Sequence, residues 1–212
     1  MHDLVVVGAG GFGREVLDVA DAMNSYRVIG VLDDSLTEQN AARLRQRGID
    51  YLGAVDSFAA KKNDAQFVIG IGSASVRAAI DSRMTSAGFE AATLVHPESS
   101  IGSLVSLGPG TVVCAGVRMT TNVTTGRHCH FNLNATIGHD VSIDDYVTVN
   151  PGAAVSGEVE LAESVLIGAN SFVLQGLEIG AKSIVGAMAC VTRAVPSEVT
   201  VAGVPARVIS RR

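Results

Sequence analysis

The chain has 212 residues, 47% of them hydrophobic, which is long enough for one large or two small domains and apolar enough to bury a real core. Sixteen basic residues against twenty-one acidic ones give a formal charge of -5. No Lys/Arg run is long enough to track a phosphate backbone, which argues against nucleic acid as a partner.

The N-terminus runs from MHD directly into LVVVGAGG, without a basic leader, a cleavage-like site or an apolar stretch of about 18 residues, so no membrane span is expected. Cys114, Cys129 and Cys190 are widely spaced with no CxxC motif, which suits a reducing compartment better than a disulfide scaffold. The expectation is a soluble, cytoplasmic protein.

Leu4 to Val7 predicts a strand, GAGGFG a tight glycine turn, and REVLDVADAM a helix with Val16, Leu17, Ala20 and Met23 at helical spacing. A second strand, Arg27 to Leu32, ends at Asp33-Asp34. A third, Gln66 to Ile71, leads through Gly72 into the helical pattern SVRAAIDSRM, and a short strand around Ala91 to Val95 closes the unit. Residues 1–94 therefore read as a small Rossmann-like α/β domain with a short parallel sheet.

Gly8, Gly10, Gly11 and Gly13 let a ligand approach the backbone while the following helix offers unpaired N–H groups to an anion. A tight strand-to-helix turn also needs glycine on steric grounds alone. Asp33 lies about twenty residues beyond the loop, where a carboxylate reaches a ribose or a base edge. The same spacing fits a pair, Asp33-Asp34, that simply caps the strand exit.

Beyond His96 the pattern changes. Counting in sixes from Val95 gives Ile101, Leu107, Val113, Met119, Thr125, Phe131, Ile137, Ile143, Val149, Val155, Leu161, Ile167, Val173, Ile179, Val185 and Val191, all apolar but Thr125. Glycine often follows, and the residue four places on is mostly small or β-branched, as at Thr111, Val117, Ala135, Val141 and Ala153. A coil of short strands and tight turns has this period; a helix or a long alternating strand does not. The aliphatic residue is expected to fill the interior, the small one to fit beside it, and glycine to permit the turn.

Residues 95–191 thus form a parallel β-helix in which three sixes make one triangular coil. Residues 192–212, which break the period and contain Pro196 and Pro205, read as a capping segment or edge extension.

In FNLNATIGHDVSIDDYVTVN the period turns Phe131, Ile137, Ile143 and Val149 inward and puts His139-Asp140 on an outward turn. There a neutral imidazole can accept a proton, and a carboxylate beside it can hold the tautomer and stabilise the imidazolium. His128 and His130 fall on outward places either side of an inward Cys129. Packing, ligand contact and, more weakly, a metal site all stay open for them. Asp144-Asp145 makes the next turn acidic, and His96 starts the coil at the domain junction.

Residues 101–191 resemble the hexapeptide-repeat acyltransferases, which implies a left-handed β-helix and acyl transfer. GAGGFGREV at 8–16, LDD at 32–34, NATIGHD at 134–140, PGAAVSG at 151–157 and GVPARVI at 203–209 resemble more closely the family of sialic-acid O-acetyltransferases and bacillosamine-type nucleotide-amino-sugar N-acetyltransferases, over essentially the whole chain. That resemblance implies acetyl-CoA as co-substrate, a homotrimer with acetyl-CoA in the groove between adjacent β-helices, and an N-terminal domain that binds the sugar acceptor; from the residues themselves no metal is expected. The resemblance also implies His139 as general base with Asp140 as acidic partner, and Asn132 near the active centre. Gly8, Gly10, Gly11, Gly13 and Asp33 match the acceptor-binding region. Gly157, Gly176 and Ala187 match positions beside the pantetheine arm, and Gly203 to Pro205 the adenine end.

The expected reaction is direct attack on the acetyl-CoA thioester by the amino group of a nucleotide-linked amino sugar, in surface polysaccharide or glycoprotein glycan synthesis. No acyl-enzyme is required, since no cysteine has a paired base. The competing readings are O-acetylation of sialic acid or another sugar hydroxyl, transfer of a longer acyl group, and a non-catalytic trimeric nucleotide-sugar-binding module.

Overall fold

The computed structural model describes residues 1–61 and 63–211, which divide into two compact units, Met1–His96 and Pro97–Arg212. The first is built on four parallel strands, β1 (His2–Val7), β2 (Tyr26–Leu32), β3 (Tyr51–Gly53) and β4 (Gln66–Ile69), in the order β3-β2-β1-β4. Helices α1 (Gly11–Met23), α2 (Glu38–Gln46), α3 (Val55–Ala59) and α4 (Ala74–Ser86) connect and cover them. Val5, Val7, Leu32, Phe67, Ile69, Ile80 and Met84 form one buried cluster, which explains why β1, β2 and β4 read as continuous apolar runs.

Three elements of this unit, α2, β3 and α3, carry little apolar signal. Only Leu44 is buried along α2, whose start is capped by Thr37 accepting from the Asn40 amide at 3.3 Å, while β3 and α3 are three and five residues long. Near Ala91, where the sequence predicts a closing strand, the chain makes one bridge, Phe67 to Ala91, before a two-residue strand at Leu94–Val95.

The second unit is a left-handed parallel β-helix. Its strands are two residues long, and each pairs in parallel with the strand one coil on: His130–Phe131 with Thr148–Val149, Thr136–Ile137 with Ala154–Val155, Ser142–Ile143 with Glu160–Leu161. The coil is therefore 18 residues with three faces and three corners, and every residue stacks on its counterparts above and below. From Val113 to Val191 every aliphatic of the six-residue period is buried, with Val117, Ala135, Val141, Val147 and Ala153 buried beside them. Each interior aliphatic side chain contributes about 1.5–3 kcal/mol relative to exposure. Thr125, the polar exception, uses its hydroxyl to accept from the Gly108 amide at 3.0 Å, standing in for a ladder carbonyl.

The glycines that follow the aliphatic residues do not serve the turn in the way the sequence suggests. The left-handed backbone falls two residues later, at Asn122, His128, Asn134, Asp140 and Tyr146 (φ 49° to 59°), and this spacing recurs from Leu104 to Met188. Gly138 has an ordinary φ and is small for another reason: a Cβ there would lie 2.5 Å from the Gly157 nitrogen of the next coil.

His128 and His130 differ from their expected outward exposure, for both are buried. The His128 ring stacks on Tyr146 of the next coil with centroids 6.1 Å apart and planes 5° from parallel, and His130 lies between Val112 and Thr148. At the C-terminal end Val199–Ala202 extends the face of Ile184–Val185 in parallel, and Arg207–Arg211 folds back on it antiparallel.

Phe131 is wholly buried at the centre of the stack. Phe131→Ala should cost about 3–5 kcal/mol of stability, read as a lowered unfolding midpoint in urea.

Candidate active site

His139 and Asp140 sit on the corner that follows the strand Thr136–Ile137. Asp140 takes the left-handed position of the turn (φ 59°), which a short polar side chain tolerates, and its amide donates to the Thr121 carbonyl one coil earlier. Its carboxylate oxygens serve different partners. Oδ2 meets His139 Nδ1 at 2.7 Å, while Oδ1 accepts from Asn122 Nδ2 at 2.6 Å.

Both the Asn122 bond, the larger effect, and the His139 bond hold the Asp140 carboxyl below its ordinary range. Asp140 is therefore ionised at neutral pH, keeps a proton on Nδ1, and leaves His139 Nε2 as a proton acceptor. The histidine and aspartate side chains are 58% and 46% exposed, so the pair is open to a substrate.

The same corner of the next coil carries Gly157 and Glu158. Gly157 leaves room for the imidazole: a Cβ on it would lie 2.5 Å from His139 Nε2 and 2.6 Å from Cε1. The Glu158 amide donates to the His139 carbonyl at 2.8 Å, and its carboxylate, the His139 ring and the Asp140 carboxylate bring ligand atoms within 4.8 Å of one another. Those donor types suit a divalent cation as well as proton transfer, although Nδ1 is already committed to Asp140. Nothing in the local sequence singles out Glu158. The signal that finds it is the coil length, since it lies 18 residues beyond Asp140 at the same turn position.

The remaining predicted residues fall into three further groups. Gly176 extends the His139 corner, its amide donating to the Gly157 carbonyl at 3.0 Å. Asn132 and Ala187 belong to the corner preceding it. Asn132 is buried there and donates to Asn150 Oδ1 at 3.1 Å. Gly203 and Pro205 lie in the turn between the two terminal strands.

In the first unit Gly8, Gly10, Gly11, Gly13 and Asp33 gather where β1 and β2 end and α1 begins. They do different things. Gly8 (φ 111°) faces Ile71 and the Gly70 carbonyl, which a Cβ would approach to 2.7 and 2.9 Å, and Gly13 packs against the Gly8 carbonyl, so both are required by packing. Gly10 and Gly11 face open space, and Gly10 caps α1 without a side-chain bond, which leaves N–H groups for an anion.

Asp33 holds the loop and caps the strand exit, accepting from the Ala9 amide across the loop and from the Ser35 amide, each at 2.8 Å. A cavity of about 200 Å³ opens beside it, lined by Val7, Asp33, Asp34, Ser35, Val55 and Ile71. Burial opposes the Asp34 charge, but bonds from Arg83 and the Val55 amide outweigh it and hold the carboxyl low. Cavities of this kind, at the carboxyl ends of parallel strands, are where open α/β sheets bind ligands.

A left-handed helix of hexapeptide turns that presents a histidine backed by a carboxylate defines the class of hexapeptide-repeat acyltransferases. Residues 3–84 match the family described as PglD N-terminal domain. The chain is 31% identical over 217 residues to the GDP-perosamine N-acetyltransferase of Escherichia coli O157:H7, covering 97% of this chain and 96% of that protein. It superposes on the acetyltransferase domain of PglB from Neisseria gonorrhoeae FA1090 in complex with acetyl coenzyme A with a TM-score of 0.87, at 26% identity and covering 98% and 99% of the two chains. Against PerB from Caulobacter crescentus, in complex with CoA and GDP-perosamine, the TM-score is 0.88 at 25% identity over 99% and 98%. The chain belongs to the family of sugar N-acetyltransferases that these proteins represent.

Gly157→Ala tests the fit of the ring. The added methyl should displace His139 and lower turnover by about 10²-fold while changing stability by less than about 1 kcal/mol, read from steady-state kinetics beside a thermal melt.

Proposed function

We propose that the protein transfers the acetyl group of acetyl-CoA to the amino group of a nucleotide-linked amino sugar, with His139 as general base. The observation that carries this reading is the His139–Asp140 pair, with Nδ1 committed to the carboxylate and Nε2 facing Gly157 on an exposed corner. The acceptor amine attacks the thioester carbonyl and forms the new C–N bond. His139 Nε2 takes the proton the nitrogen loses, the C–S bond breaks, and the imidazolium returns the proton to the departing thiolate. The negative charge of Asp140 stabilises the imidazolium in between.

The first unit supplies the acceptor site. Gly10, Gly11 and the open start of α1 offer N–H groups to the diphosphate, and the cavity beside Asp33 receives the nucleoside. GDP-perosamine, which the Escherichia coli relative acetylates and which is bound in the PerB structure, belongs to this class.

Acetyl-CoA runs along the β-helix, past Gly157 and Gly176 on the His139 corner and Ala187 on the preceding one, toward Gly203 and Pro205. In one chain these corners lie at opposite ends of a strand face, so a groove lined by both calls for the corner of a second copy. A cyclic homotrimer supplies three such grooves. No helix among the described residues is long and apolar enough to cross a membrane, and three free cysteines suit the cytoplasm.

The test is CoA release from acetyl-CoA with a panel of nucleotide amino sugars, GDP-perosamine first, and of free sugars, with product mass identifying the acyl group and its position. Turnover should be confined to amine acceptors and fall by about 10²–10⁴-fold in His139→Ala. Wild-type turnover in that variant sinks the mechanism, and acetylation of hydroxyls alone replaces the acceptor. Mass in solution should be that of a trimer, and an active monomer would rule out a shared groove.

A further inference from the structure

We propose that Asn122 is a positioning residue for the acetyl transfer, fixing the carboxylate of Asp140 so that Asp140 in turn fixes the tautomer of His139. This rests on the reading of His139 as the base. Asn122 lies at the same turn position as Asp140 in the preceding coil, and its side-chain amide donates to Asp140.

A carboxylate on a turn is free to rotate, and rotation would break its alignment with an imidazole. Here Oδ1 is occupied by Asn122 Nδ2 at 2.6 Å while Oδ2 holds His139 Nδ1 at 2.7 Å, so each oxygen is committed to one partner. Both backbones are anchored as well, the Asn122 amide to the Ser103 carbonyl at 3.0 Å and the Asp140 amide to the Thr121 carbonyl at 3.1 Å. The amide is also the right chemical type. It stabilises the carboxylate as a neutral donor, where a lysine or arginine would compete with the imidazolium for the same charge.

Asparagine tolerates left-handed backbone, and that tolerance alone would explain its presence. Asn134 and Asn170 occupy equivalent positions, but their Oδ1 atoms lie back over Gly116 and Gly152 of the coil before. The Asn122 side chain instead reaches forward to the acid of the catalytic pair.

Two substitutions separate positioning from turn geometry. Asn122→Gly keeps a residue suited to positive φ and removes the amide. Asn122→Asp keeps size and backbone preference but opposes a second carboxylate to Asp140. Imidazole ¹⁵N NMR of the full chain, with His139 assigned by its loss in His139→Ala, reads the tautomer without any substrate. The wild type should hold the Nδ1–H form, and Asn122→Gly a mixture with Nε2–H. Its kcat, on the amine acceptor that turns over fastest, should fall about tenfold with KM for both substrates within about twofold.

In Asn122→Asp the deficit relative to wild type should shrink as pH falls from about 8 to about 6. Two carboxylates sharing a site raise one pKa strongly, and the protonated form regains an O–H donor toward Asp140. Unchanged tautomer populations in Asn122→Gly, or a deficit in Asn122→Asp that is flat with pH, would overturn the inference. If His139→Ala abolishes turnover while Asn122→Gly does not alter it, only the role of Asn122 falls; if His139→Ala is fully active, the base assignment falls with it.

Discussion

Every feature of the second unit follows from the backbone ladder that ties each coil to the next. Because Phe131 pairs with Val113 on one side and Val149 on the other, equivalent residues stack in columns at the spacing of hydrogen-bonded strands, about 4.8 Å. A site on such a scaffold is assembled along a column rather than along the sequence. Asn122, Asp140 and Glu158 share one column, and His139 and Gly157 share its neighbour. Neither local propensity nor a mobile loop is needed to bring them together.

That geometry explains which parts are legible in the amino-acid sequence. The six-residue period survives there because each interior position must be filled by an apolar side chain, so the coils of the β-helix can be counted from Val95 to Val191 by residue type alone. Strands β1 and β4 and the end of β2, Gly30 to Leu32, are legible for the same reason, being buried on both faces. The segment from Glu38 to Ala59 is not, because its short elements hold their places with few buried side chains and with tertiary hydrogen bonds such as that from the Val55 amide to Asp34.

In the site, His139 and Asp140 are legible from the outward phase of their turn, and the roles attached to them come from resemblance. The partners one coil away are not, since nothing local marks Asn122 or Glu158. The glycines are only half legible. Sequence shows that a side chain is unwelcome at Gly8, Gly13, Gly138 and Gly157, but not whether the neighbour it would strike is a carbonyl, an amide or the His139 ring. His128 and His130 show the converse. Their phase puts them outside the coil, and yet the stack on Tyr146 and the flanking strands bury them.

The 18-residue coil also sets which changes of length the chain could accept in evolution. A whole coil inserted above Asn122 or below Gly176 would lengthen the prism and leave every column of the site in register. Six residues inserted between Asn122 and Asp140 would keep the interior pattern intact, and the protein would still fold, but His139 and Asp140 would be carried round to the next corner and Asn122 would be left facing a stranger. Insertions that are not a multiple of six would break the period itself. Natural length variation near this site should therefore come in steps of one full coil, while the corners tolerate exchange of the residues they display, as the left-handed positions already do in holding leucine, tyrosine, lysine and methionine at 104, 146, 182 and 188.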